Sequence, residues 1–367
     1  MRPKEQADDW VWIIDHTVQL GEEKCLFILG VRLSTLSSDL TLKHEDVEPI
    51  ALYPVTSSNG EVVFQQLEKT IDKTGLPRAI VADHGSDVKS GIEYFVEAHP
   101  HTSDLYDIKH KVAALLKGHL KNDEIWKSFT QQASQTKSQV QQTALSFIAS
   151  PNQRTKARYM NLEILVHWGN RARVLLDHVE KKTETKESHE KIKSKLRWLG
   201  EFHEPLKEWD EICQVTATAE SFVRQQGLWN GCDSDLSNRF DSDISSPKAI
   251  QIRDQLLDFV KSESLKAKPN ERLLGSSEVI ESVFGKMKWL EKDQSKSGFT
   301  GLILGTAAIV SKTTQEVVTK AMETVPTKKV TEWIKDNIGP SVQSKRNIAF
   351  SSANNAEQKR DQLLNSI

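Results

Sequence analysis

Three acidic residues stand where a carboxylate is hard to account for by packing alone. Asp15 closes the apolar run Trp10-Val-Trp-Ile-Ile-Asp, and Asp83 closes Arg78-Ala-Ile-Val-Ala-Asp. Glu281 lies in Ser277-Glu-Val-Ile-Glu-Ser, just inside a helical pattern. A charge at the end of a buried strand must reach solvent, find a partner or bind a cation. In open α/β sheets, ligands sit beyond the carboxyl ends of the strands. Two such carboxylates and one from a packed helix make an all-oxygen donor set, which suits a hard cation such as Mg²⁺ or Mn²⁺. Glu278 precedes Glu281 by three residues, shares its helix face and is the alternative third donor. Plainer roles stay open: Asp15 paired with Lys24, Asp83 capping a helix, and either glutamate as an ordinary solvated charge. A zinc site on His16 and His84 lacks a third soft ligand at suitable spacing.

The elements that must position these residues are legible in outline. Residues 10–18 are β-branched and aromatic and read as a strand. Residues 24–31 follow after a short turn, as the second arm of a hairpin, and 47–55 can form a third strand. Val63, Leu67 and Ile71 share a helix face within 62–74, which Gly75-Leu76-Pro77 ends. Residues 78–82 form a short strand before Asp83, and Ser86 or Asp87 can cap a helix running to about residue 99. Residues 102–106 form a last strand before Asp107. The order β-β-β-α-β-α-β predicts a mixed sheet with right-handed crossovers.

Beyond Asp107 the strand signals stop. Residues 109–270 read as almost wholly helical, with polar breaks near 150–153, 182–187 and 228–246. Ser276-Ser277 can cap a helix over 278–292, further helices lie near 302–323 and 328–337, and the tail from 341 is polar and expected to fray. The expected division is a first core part at 1–110, an all-helical insertion at 111–270, a core helix with the last acidic residue at 271–300, C-terminal helices at 301–340 and the tail at 341–367.

Bulk properties bound the function. The 367 residues carry 49 Lys and Arg against 51 Asp and Glu, a net charge of -2, so any nucleic-acid binding must come from local basic patches. Such patches occur at Lys109, Lys111, Lys117 and Lys121, at Arg154, Lys156 and Arg158, and at Lys286 and Lys288. The run Lys191 to Arg197 alternates with glutamate and reads as a solvated face. Three scattered cysteines exclude a disulfide scaffold and a cysteine zinc site. No apolar run is long enough to span a membrane.

Taken together, Asp15 in Trp-Ile-Ile-Asp-His-Thr, Asp83 in Val-Ala-Asp-His-Gly-Ser-Asp and Glu281 in Ser-Ser-Glu-Val-Ile-Glu-Ser-Val-Phe-Gly-Lys resemble the DDE triad of bacterial insertion-sequence transposases. Asp107-Ile-Lys-His110 is similar to the Cys/Asp-x-x-His motif of transposases that carry a helical insertion before the final glutamate, hAT transposases among them. The resemblance covers residues 10–110 and 275–292. The Tyr-Arg-Glu-Lys signature of one large transposase group is not present: Leu274 and Ser277 take its first two places, and only Lys288 has a counterpart.

That resemblance implies an α/β ribonuclease H-like core and a DNA transposase performing strand cleavage and strand transfer. Two Mg²⁺ or Mn²⁺ ions would be held by Asp15, Asp83 and Glu281, with Asp107, His110 and Glu278 as supporting positions. Lys109, Arg154, Lys156, Arg158, Lys286 and Lys288 would meet DNA at transposon ends and target. It further implies a homodimer on DNA, a bacterial, nucleoid-associated cytoplasmic setting and a separate N-terminal DNA-binding region outside this chain. A ribonuclease H-like endonuclease without strand transfer and a truncated or domesticated DNA-binding relative are the competing readings. Trp168, Trp198 and Trp209 in the helical block read as core rather than as base-stacking residues.

Overall fold

In the computed structural model, residues 4–16, 24–153, 159–181, 187–293, 299–311, 314–339, 342–350 and 356–364 are described. Five strands, β1 (Trp10–His16), β2 (Lys24–Arg32), β3 (Glu48–Val55), β4 (Ala79–Ala82) and β5 (Ser103–Tyr106), form one sheet in the order β3-β2-β1-β4-β5. The first three pair antiparallel, with a register shift between Ile28 and Leu29, while β4 and β5 run parallel to β1. This is the ribonuclease H-like arrangement. The hairpin needs only a short connection, and each parallel step is bridged by a helix, α1 (Gly60–Thr74) and α2 (Ser86–Ala98).

Strand alternation assigns the two sheet faces. Trp10, Trp12 and Ile14 of β1, Leu26 and Ile28 of β2, and Ile80 and Ala82 of β4 meet Val63 and Leu67 of α1 and Ile92 and Phe95 of α2. Gly91 allows that helix pair to close, since a Cβ there would come within 2.5 Å of Val63. The buried Trp12 indole donates to Thr74 Oγ1 at 3.1 Å and ties β1 to the end of α1. Val11, Ile13 and Asp15 fall on the opposite face, with Phe27 and Val81.

The chain divides into two compact units, Met1–Asp107 with Leu273–Ile367, and Ile108–Arg272. The second holds α3 (Ile108–Leu120), α4 (Glu124–Val140), α5 (Leu162–Glu180), α6 (Glu187–Leu196), α7 (His203–Gln226), α8 (Cys232–Ser237) and α9 (Pro247–Ser264). Its core is aromatic: Trp126 and Trp209 meet edge to face at 4.8 Å, and Phe129 lies 4.9 Å from Trp209 and 5.7 Å from Trp198. Gly169 lets α5 approach α7, because a Cβ there would come within 2.7 Å of Leu206. The first unit is completed by α10 (Glu278–Asp293), α11 (Phe299–Val310), α12 (Gln315–Thr324), α13 (Thr327–Asn337), α14 (Val342–Ala349) and α15 (Ala356–Leu364). The last two stand in the segment whose polarity suggested a frayed tail. No described helix is long and apolar enough to cross a membrane.

Candidate active site at the strand ends

Register brings two of the acidic residues side by side. Ile14 pairs with Ala82 across the parallel β1–β4 ladder, so Asp15 and Asp83 take the next facing positions. Neighbouring strands lie about 4.8 Å apart, and alternation turns both residues to the face opposite α1 and α2. Both are half-buried.

The third acidic residue arrives on α10, and two anchors fix the path of that helix. At its start, Asp107 Oδ2 accepts from the Ser277 N–H at 2.6 Å and from the Ser277 hydroxyl at 3.0 Å. Asp107 is 1% exposed and follows β5 directly, its own N–H donating to Ala82 O at 3.0 Å. Three residues past Glu281, the Phe284 ring lies 6.0 Å from Phe27 on β2, the strand position that faces Asp15. The helix thus starts over β5 and reaches β2, and the span with Glu281 crosses β4 and β1. Helical spacing of about 100° per residue places Glu281 and Lys288 on the Phe284 flank, with Ser282 and Lys286 on the other. The second flank faces His44, whose Nε2 stands 3.1 Å from Ser282 Oγ. His44 belongs to the β2–β3 connection, beyond the end where Arg32 pairs with Trp10, so the Ser282 flank lies on the side of the amino end of β1 and the Glu281 flank on the other.

Around the aspartates lies a polar frame that sequence reading missed. Asp83 Oδ1 accepts from the Gly85 N–H at 2.9 Å, closing a turn in which His84 takes a left-handed φ of 56°. For a non-glycine residue that conformation costs about 1–3 kcal/mol and needs support from its surroundings. It is held by a 2.8 Å hydrogen bond between His84 Nε2 and Asp104 Oδ1 and by parallel stacking on Tyr106 at 4.5 Å. Burial raises the Tyr106 phenol, and the Asp83 and Asp107 carboxylates add to the effect. At the end of β1, Lys24 Nζ stands 2.6 Å from Asp87 Oδ2, and His16 Nδ1 stands 3.5 Å from the same oxygen. Burial pushes the His16 imidazole down to about 4, helped by the Lys24 charge and opposed by Asp87 and Asp83. Both histidines are engaged in hydrogen-bonding networks of their own. The only sequence signals for this frame were the left-handed tolerance of a His-Gly step and the charged residues flanking each strand end.

The remaining candidates separate by unit. Glu278 is half-buried in the first turn of α10, about 60° around the helix from Glu281 and farther from the Phe284 flank. Lys286 and Lys288 are exposed. Lys109 and His110 are half-buried on α3, the first helix of the helical unit. Arg154, Lys156 and Arg158 lie outside the described residues. Lys191 and Lys193 pair with Glu187 and Glu190 on a solvated face, as their spacing suggests. Trp209 is buried, and the Trp168 and Trp198 indoles donate to Ile148 O and Thr136 Oγ1. All three therefore serve the helical core.

The donor set, all carboxylate oxygen, fits a hard cation in chemistry. Among the described residues, however, no three His, Cys, Asp or Glu side chains are gathered closely enough to hold a metal ion.

No family model matches the sequence. A comparison with curated proteins finds no match either. Among solved structures, the chain is similar to the Drosophila P element transposase strand transfer complex, with a TM-score of 0.38 and 12% identity over 83% of this chain and 77% of that one. Fold and site are accordingly read from this chain's own strand order and side chains.

Proposed function

We propose that this protein is a transposase-type polynucleotidyl transferase, cutting DNA and joining a 3′ end to a new strand with Mg²⁺ or Mn²⁺. What supports the reading is the β1–β4 register, whose last pair Ile14–Ala82 makes Asp15 and Asp83 the next facing positions, together with the anchoring of α10, the helix of Glu281, to Asp107 and Phe27. Asp15, Asp83 and Glu281 would hold the ions, Asp15 from the central strand of the sheet. Bound ions supply an activated water or 3′-hydroxyl and neutralise charge on the leaving oxygen. Carboxylates repel one another at close range without an opposing charge, and a bound cation would supply the charge that lets Asp15, Asp83 and Glu281 stand close together. Lys288, on the Glu281 flank, meets substrate phosphate, and Lys286 contributes more weakly from the other flank. Asp107 holds the first turn of α10 in place and touches neither ion nor substrate. His84 is kept by Asp104 and Tyr106, which fixes the backbone that presents Asp83. No side-chain nucleophile is required, since water or a DNA 3′-hydroxyl attacks phosphorus and the 3′ oxygen opposite it leaves as a hydroxyl.

Plasmid and a pre-cut duplex end, incubated with the full chain and Mn²⁺ or Mg²⁺, test the proposal. Joined product in the presence of metal and none with chelator is the expected result. Metal-dependent nicking without joining assigns the chain to the ribonuclease H-like endonucleases instead. No cleavage and no joining by the wild type removes the catalytic reading.

A further inference from the structure

Strand β3 closes one edge of the sheet, and beside it lies a cavity of about 510 Å³. Phe27 and Leu52 line it from the sheet, Leu304 from α11, Trp333 from α13, and Val325 from the turn between those last two C-terminal helices, α12 and α13. All belong to the unit built on the sheet. Small-molecule sites span roughly 300–1,000 Å³ and are lined mostly by apolar side chains with a few polar groups. Here Val325 is 50% exposed and Leu304 and Trp333 are half-buried, so apolar surface stays open to water.

Two ammonium groups interrupt that lining. Lys73, in the last turn of α1, is half-buried, with Nζ 5.0 Å from the Tyr53 ring centroid and 3.4 Å from the Ile50 carbonyl oxygen. Burial lowers the pKa of this ammonium, and among the described residues no carboxylate pairs with it. A cation taken out of water without a counter-charge carries a desolvation cost that an anion beside it would offset. Lys329 lines the cavity from α13 and also lacks a carboxylate partner among the described residues, whereas its neighbour Lys328 stands 3.9 Å from Glu332. Among the described residues, no acidic side chain lines the cavity.

We propose that this cavity binds a small anionic amphiphile, its apolar body against Phe27, Leu304 and Trp333 and its carboxylate or phosphate head taken by Lys73 and Lys329. A purely apolar molecule would leave the Lys73 charge uncompensated, and a purely polar anion would leave the apolar lining wet. The inference is independent of the DNA-processing role, since it uses none of the acidic residues or lysines assigned there.

Calorimetry on the full chain, with sodium decanoate, decyl phosphate, decanol and decyltrimethylammonium below their micelle concentrations, tests it. At least one of the two anions is expected to bind at a single site, and the tighter of them identifies the head group. Decanol should bind about tenfold more weakly, the worth of one charge-assisted hydrogen bond, and the cation more weakly still. Lys73→Met keeps the aliphatic stem and should weaken the anion by about tenfold without changing decanol, while Lys73→Arg restores most of the loss. Lys329→Met should cost about threefold, as for an exposed ion pair. Trp333→Ala should weaken anion and alcohol alike. Thermal midpoints check that each variant is folded; if Lys73→Met is not, Lys329→Met and the comparison of anion with alcohol on wild type decide. Equal affinity for decanoate, decyl phosphate and decanol would reveal plain hydrophobic adsorption and overturn the site. Wild-type affinity for the anion in both folded lysine-to-methionine variants would overturn it too, as would the absence of binding by either anion.

Discussion

At the carboxyl ends of β1, β4 and β5 stand Asp15, Asp83 and Asp107, the same residue type in the same topological place. Two are half-open to solvent, and the third is 1% exposed. The Asp107 carboxylate is spent on the Ser277 N–H and hydroxyl, 170 residues away in the chain, at the start of α10. A carboxylate there also lies at the positive end of a helix dipole. Placement at a strand end therefore does not by itself make an aspartate a ligand: burial and the double hydrogen bond from Ser277 set Asp107 apart from the two half-buried aspartates. Asp83 gives Oδ1 to one backbone N–H of its own turn, a bond compatible with the remaining oxygen meeting a cation.

Substitution should split the two kinds of aspartate cleanly. Asp15→Asn or Asp83→Asn is expected to lower metal-dependent cleavage by about a thousandfold, equivalent to about 4 kcal/mol of lost charge stabilisation. The thermal midpoint should stay near that of wild type, because neither side chain is buried. Near-normal turnover by Asp83→Asn would remove it from the ligand set. Asp107→Ala should do the reverse. It leaves a buried N–H and hydroxyl without their acceptor and is expected to cost about 3 kcal/mol of unfolding free energy in urea. Asp107→Asn, which keeps one acceptor oxygen, should recover part of that. If Asp107→Ala unfolds like wild type but loses metal affinity, the two classes of aspartate are wrongly drawn.

How far this contrast could be read from the sequence depends on the range of the interactions. Alternation and β-branching marked the strands that end at Asp15, Asp83 and Asp107, and periodicity marked α1, α2 and α10, because those signals repeat within a few residues. The mixed character of the sheet also followed from the hairpin and the two crossovers, whereas its strand order came only with the structure. What sequence did not disclose was the acceptor of the Ser277 groups. Ser276-Ser277 does cap locally, with Ser276 Oγ 3.3 Å from the Glu278 N–H, yet the stronger partner comes from β5. The Asp-x-x-His motif likewise reads as a unit in the chain, while Asp107 closes the sheet unit and His110 opens the helical one. Lys24, a plausible local partner for Asp15, stands 2.6 Å from Asp87. At Ser277 the partner lies 170 residues away, and one-dimensional spacing carries no record of it.

The network around Asp87 offers a gentler way to sharpen the comparison, since this carboxylate is paired to Lys24 at the same end of the sheet as Asp15 and Asp83. Burial would raise its pKa, but hydrogen bonds from Lys24 and Ser58 and the His16 charge more than reverse this, so it titrates well below the usual carboxylate range. A folded pKa below the unfolded value of about 3.9 contributes stability that is present above that pH and is lost as pH falls below it. The urea midpoint of wild type should therefore drop between about pH 4 and pH 2, and Asp87→Asn should flatten that limb while lowering stability at pH 7. An unchanged acid limb in the variant would show that the Lys24–Asp87 pair does not bear on folding.

The smallest expected effect separates the two glutamates. Both lie in the first turn of α10, and spacing alone assigns them to one face. The anchors at Ser277 and Phe284 divide that face: Glu281 falls beside Phe284 on the flank opposite Ser282, and Glu278 lies about 60° farther round toward solvent. Glu278→Gln should change cleavage by no more than about twofold, as for an ordinary surface substitution, while Glu281→Gln should match the aspartate variants. Manganese affinity, measured by calorimetry on the same proteins, should fall only for Glu281→Gln. A large loss with Glu278→Gln and a small one with Glu281→Gln would mean that α10 rotates by most of a residue step when ions bind. The flank assignment would then hold only for the ion-free arrangement, and Asp107, which fixes the helix start, would be the element opposing that rotation.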